Sequence, residues 1–145
     1  SLWEEFAVPP NRPDGKWVYW QFRRGWERVR GTGKHSAEID EMIRAVTEQF
    51  DATQDHIEME LERGWDGEHG RPAVHVTARL HMHQDLQQYH LGEIEEEAAA
   101  WLDKNFDNDM PIAAEMVGLA SDGKHHSIQI ACLMPPKKQR AQYEL

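Results

Sequence analysis

One parity of the stretch Val74–His83 carries His75, Thr77, Arg79, His81 and His83, and the other carries Val74, Val76, Ala78, Leu80 and Met82. Alternation at period two marks a strand with one wet and one buried face, so these polar side chains stand together on one side of it. Imidazoles exchange protons near neutral pH, a hydroxyl and a guanidinium hold oxyanions, and paired imidazoles ligate transition metals. A second polar group, His125, His126 and Ser127, opens the alternating stretch HHSIQIACLM. A third lies on HIEMELERG, where Glu58, Glu60 and Glu62 oppose Ile57, Met59 and Leu61.

Several chemistries suit these residues. The VHVTA segment resembles the His-x-Thr/Ser element of the two-histidine phosphoesterases, with KHHSIQI in the place of a second copy. The resemblance implies phosphodiester hydrolysis across a cleft, with His75 and His126 as base and acid and with Thr77 and Ser127 on the phosphate oxygens. His81-Met82-His83 is similar to the His-hydrophobic-His pair of rolling-circle nucleases, which implies a metal. No metal is favoured and no cofactor is expected; the residues that could hold one are His81, His83, Glu58 and Glu60. WVYWQFRRGWERVR interleaves aromatic residues with arginine and resembles the base-stacking surface of RNA-recognition domains. Trp20-Gln21-Phe22, Trp26, Ser36 to Asp40 and Met82-His83-Gln84 follow the order of the Trp-Trp-Glu type of ADP-ribose-binding module, which implies a nucleotide-like ligand.

The elements that must position these groups are read from pattern. Residues 1–15 are Pro-rich and predict an irregular lead-in; residues 16–134 predict one α+β domain, and residues 135–145 a polar, partly loose tail. KWVYWQFRRGW reads as a strand, and Ser36 as the N-cap of a helix with Ile39, Ile43, Val46 and Phe50 on its apolar face. HIEMELERG and the His75 stretch predict a hairpin across Asp66-Gly67 and Gly70. LGEIEEEAAAWLDKNF predicts a second helix, and MPIAAEMVGLAS and HHSIQIACLM two further strands. SAEIDE aligns with LGEIEE at an offset of 55 residues, as does Ile57 with Ile112. Two β-α-β units in tandem predict a ferredoxin-like β-α-β-β-α-β sandwich with an additional C-terminal edge strand and both helices on one face of an antiparallel sheet. In that architecture the first and third strands are central neighbours, so Trp17, Tyr19 and Gln21 would join Arg79 and His81 on the open face as ligand-binding residues.

Charge narrows the partners. The first 35 residues hold seven Lys or Arg against four Asp or Glu, so the rest of the chain holds more than the whole formal net charge of −10. An acidic body of this kind argues against bulk nucleic-acid binding, which depends on clustered basic residues. The single Cys132 excludes an intramolecular disulfide. No apolar run is long enough to cross a bilayer as a helix, which predicts a soluble protein of the cytoplasm without a membrane partner. The expectation is an acidic, non-catalytic binding or regulatory module of inhibitor, immunity or adaptor type. It would use its open sheet face for a protein or small nucleotide-like partner and pair as a homodimer that hides Trp17 and Tyr19. Phosphodiesterase and ADP-ribose-binding readings stand as the alternatives.

Overall fold

The computed structural model describes residues 2–83 and 85–145; Gln84, the last residue of the Met82-His83-Gln84 element, lies outside the described residues. The strands are β1 (Glu4–Glu5), β2 (Val18–Tyr19), β3 (Trp26–Arg28), β4 (His56–Asp66), β5 (Arg71–Met82), β6 (Asp85–Glu93), β7 (Ala113–Ser121) and β8 (His126–Met134). The helices are α1 (Ser36–Arg44), which runs on through a wider turn at Ala45–Gln49, then α2 (Glu96–Asn105) and the short α3 (Lys137–Arg140). This is an α+β fold with one antiparallel sheet of eight strands in the order β2-β8-β7-β4-β5-β6, to which β1 adds on β7 and β3 on β8.

That order is not the expected ferredoxin-like one, for two local reasons. The first strand breaks after Tyr19, because Arg23 (φ 48°), Arg24 (φ 64°) and Gly25 (φ 75°) are consecutive left-handed residues that throw Gln21–Arg24 out as a bulge. Its two halves pair with β8, at the far edge of the sheet from β5. The segment after Met82 then continues as β6 in a hairpin with β5, so the helix starts only at Glu96, and Leu91, Gly92 and Glu93 belong to a strand. SAEIDE and LGEIEE are therefore not equivalent units.

The sheet curls until its edges meet. Beyond β3, Val29 still donates to Ile128, and Arg30 then exchanges two backbone hydrogen bonds with Glu93 of β6 at 2.7 and 2.8 Å. Gly92, at φ +145°, sits where any Cβ would run into the Arg30 carbonyl. Alternation assigns Ile57, Met59, Leu61, Val76, Ala78, Leu80, Met116, Ile128 and Ile130 to the inside, and all are buried. Val18, Phe22 and Ile112 are half-buried and pack on the rim. Ile39 and Met42 of α1 and Ala98 and Leu102 of α2 fill the interior, and Trp101 faces Trp20 and Phe22 with ring centroids 6.1 and 5.8 Å away. Trp20 is 1% exposed and still satisfies its indole N–H on the Leu133 carbonyl at 3.0 Å.

Both chain ends are tied to this body. Asp107 donates to the Tyr143 carbonyl at 2.7 Å and Leu145 to that of Asn105 at 3.0 Å, so the polar tail docks on the end of α2 instead of hanging loose. At the other terminus β1 pairs with Ala120 and Ser121, Phe6 donates to Leu119, and Asn11 bonds Met116 through its side chain. Arg12 then crosses to the β2 edge, where its guanidinium stands 5.9 Å from the Tyr19 ring centroid.

Candidate functional site

The outer parity of β4, β5 and β6 forms rows across three strands. Register places His56 beside His81 and Leu86, Glu58 beside Arg79 and Gln88, Glu60 beside Thr77 and His90, and Glu62 beside His75 and Glu93. The alternation read from sequence put these β4 and β5 side chains on one face, and cross-strand proximity now pairs them. Arg79 reaches Glu60 at 3.0 Å and Glu58 at 3.7 Å. His81 stacks on His56 with ring centroids 4.2 Å apart and stands 3.6 Å from Glu58. His75 turns Nδ1 to Glu93 at 3.5 Å and its Nε2 edge toward Gly64. Thr77, at the centre, is buried.

α1 borders this face along β6. The Glu38 carboxylate accepts the His90 backbone N–H at 2.8 Å and faces His90 Nδ1 at 3.2 Å, and His35 Nδ1 lies 3.9 Å away. The backbone hydrogen bond from His90 is the main cause holding the Glu38 carboxyl below the usual carboxylate range, and the ring contact adds to it. A small cavity of about 170 Å³ lies between His35, His75, His90, Glu60 and Glu62, with Thr77 in its lining. The sequence pattern placed Glu38 only within the Ser36 to Asp40 stretch and did not bring it together with His35 and His90, because His90 falls on the unrecognised strand β6.

The expected catalytic set does not assemble. His75 and Thr77 lie on the outside of β5, whereas His126 points inward from β8, with its side chain 1% exposed and its Nε2 on Asp40 at 2.7 Å. Ser127, on the next position of an extended strand, faces the opposite way from His126, and β7 and β4 separate β8 from β5. His75 and His126 share neither a face nor a cleft. Burial pushes the Cys132 thiol up, away from a nucleophilic state.

The aromatic part of the expected ligand site also separates. Trp17, Tyr19 and Gln21 sit at the β2 edge of the sheet, with β8, β7 and β4 between them and the Arg79 and His81 rows. Trp17 is half-buried and donates to the Asp14 carbonyl, Tyr19 lies under Arg12, and Gln21 is in the bulge. The surface on which indoles were to meet imidazoles, and through which the homodimer was to pair, is two surfaces.

His81, His83, Glu58 and Glu60 do not converge as ligands. Among the described residues, the group of three such side chains whose ligand atoms all lie within 4.8 Å of one another is Asp66, Glu68 and His69, at the β4–β5 turn. There Asp66 accepts the backbone N–H of Glu68 and His69 and faces His69 Nδ1 at 2.8 Å, and the hydrogen bonds from His69 hold its carboxyl low. Those bonds close the turn and account for the cluster.

The other feature of this surface is an open strand edge. Met59 and Ala114 are the single Cα pair joining β4 to β7. Toward the N-terminal half of β4 the lead-in bonds to β7 and leaves a cavity of about 450 Å³ between Pro10–Asp14 and His56–Met59; toward the C-terminal half a groove of about 760 Å³ runs between Glu60–Trp65 and the loop Asn108–Ile112. Trp65 stands over it at 64% exposure. No helix among the described residues is long and apolar enough to cross a membrane. Comparison with protein-family models, curated proteins and solved structures gives no match.

Proposed function

We propose that the chain is a non-catalytic binding module for a positively charged protein partner, engaged through the outer face of β4, β5 and β6. The observation that carries this reading is the charge of the four rows: Glu58, Glu60, Glu62 and Glu93 stand against Arg79 as the one Lys or Arg. Four carboxylates against one guanidinium make the face acidic within an already acidic chain. Arg79 is committed to Glu58 and Glu60, while Glu62 makes no ion pair among the described residues, which leaves negative potential to steer a cationic partner.

The test is selection of a displayed random-peptide library on the immobilised protein, followed by titration of the recovered peptides. Sequences enriched in Lys and Arg are expected, binding more weakly as salt rises. Glu93→Lys and Gln88→Lys together should weaken them about tenfold or more. Recovered peptides without cationic enrichment, or with affinity indifferent to these substitutions, would remove this reading.

A further inference from the structure

Resting on that reading, we propose that the open edge of β4 at residues 60–66 receives an extended, basic segment of the partner as an added antiparallel strand. Strand β4 is bonded to β5 along its whole length, from His56↔His81 to Asp66↔Arg71. On its other side it meets β7 only at Met59, so the outward N–H and C=O groups of residues 60–66 have no strand partner among the described residues. A row of free backbone groups on a long strand is the template for strand addition.

The molecule itself shows what fits the split. β7 begins at Ala113, one residue from the Met59–Ala114 pair, so β4 runs on past its end, and on the other side of the pair the exposed edge of β7 is taken by an extended segment. There β1 pairs with Ala120 and Ser121, Phe6 donates to Leu119, and the Asn11 amide bonds Met116. On the other side the edge of β4 is matched by the groove, whose 760 Å³ lies within the range of built ligand clefts.

Charge selects the occupant. Glu60, Glu62 and Asp103 line the groove, and Asp107 and Asp109 flank it on the loop. Its two cations are engaged: Arg79 with Glu58 and Glu60, Arg63 with the carbonyls of Asp107 and Phe106 at 2.7 and 3.0 Å. A second copy of this chain, pairing edge to edge, would bring Glu60 and Glu62 against their own copies, and like charges directly opposite destabilise a ladder. A strand alternating Lys or Arg with apolar residues meets both needs. Its cations face Glu60 and Glu62 on the outer side, and its apolar side chains face Met110 and Ile112 on the inner side.

The experiment uses capped decapeptides of alternating Lys and Val and the intact protein. In an extended strand the Lys and Val residues direct their N–H groups to opposite edges, so N-methylation of all Lys or of all Val residues blocks one edge at a time. The parent peptide is expected to bind, one methylated form to bind about tenfold or more weakly, and the other to bind like the parent. A Glu/Val peptide is expected not to bind. Equal binding by both methylated forms would mean attraction by charge without strand addition; it would overturn this inference and leave the binding reading standing. Failure of the Lys/Val peptide while library-selected cationic peptides bind would do the same. A concentration-dependent dimer that the peptide does not dissociate would assign the edge to a second copy and overturn the inference. Loss of all cationic binding would remove the parent reading as well.

Discussion

The Asn11 side chain bonds Met116 twice, accepting its N–H at 2.6 Å and donating to its carbonyl at 2.9 Å. A side-chain amide thus stands where a neighbouring strand's backbone would be, on the edge of β7 not paired with β8. Both Met116 groups are buried, so Asn11→Ala leaves a donor and an acceptor unpaired. The expected loss is roughly 2 to 4 kcal/mol by urea unfolding. Asn11→Asp keeps the acceptor but sets a carboxylate against the Met116 carbonyl. Its folded-state pKa should be raised, so this variant should regain stability as pH falls and the acid becomes a donor, whereas Asn11→Ala should not.

Closure of the sheet rests on Gly92. With a Cβ at this position the Arg30 carbonyl must move, and the Arg30–Glu93 pair that joins the two edges must open. Gly92→Ala should cost about 2 kcal/mol or more, since φ +145° is also strained for an L side chain. Gly31→Ala, at φ +75° with open space around it, isolates the backbone term and should cost less.

Glu27 points inward from β3, with Oε1 unpartnered. Burial raises its pKa above the ordinary 4.5, offset in part by Arg23 and raised further by Glu95. A carboxyl with a raised folded-state pKa contributes most below its unfolded pKa, and that contribution disappears as pH rises through the folded value. Glu27→Gln should therefore stabilise the protein at pH 7, by about 1 kcal/mol on the scale of an unpaired buried polar atom. It should also flatten the fall in stability from pH 4 upward, as followed by chemical denaturation across pH.

Asp40→Ala takes the hydrogen-bond partner from the His126 ring, whose Nδ1 has none among the described residues. A loss of roughly 1 to 3 kcal/mol is expected. Affinity for cationic peptides should stay unchanged, because His126 faces the interior and the binding face lies outside. A matching loss of affinity in a folded Asp40→Ala protein would count against the separation of the two faces.

The alternating strands were legible because each buries one parity: Ile57, Met59 and Leu61, or Val76, Ala78 and Leu80, leave the histidines, Arg79 and glutamates outside. Strand β6 was not, since Gln87, Gln88 and His90 surround only Tyr89 and Leu91 as buried apolar residues. The break after Tyr19 carried no signal either. Left-handed backbone favours Gly, Asn and Asp, and here it falls on Arg23 and Arg24, held by the pairing of Arg23 with Glu95 and Glu97. The pairing of both halves with β8 places Trp17 and Tyr19 at the far edge of the sheet from β5. The direction of His126 follows from which face the sheet wraps around, and parity in one strand does not reveal it. The open edge of β4 arises because β7 begins only at Ala113, beyond the Asn108–Ile112 loop, while β4 runs on to Asp66, a mismatch in strand ends that no local pattern encodes.

Backbone amide hydrogen exchange of the free protein tests the split sheet most directly. Across residues 60–66 the amides bonded to β5 should be protected, and the alternate ones that face the groove should exchange orders of magnitude faster. On β7, both Met116, bonded to Asn11, and the amides bonded to β8 should be protected. Uniform protection of residues 60–66 in the free protein would show that the edge is already paired, contradicting the open edge on which the account depends.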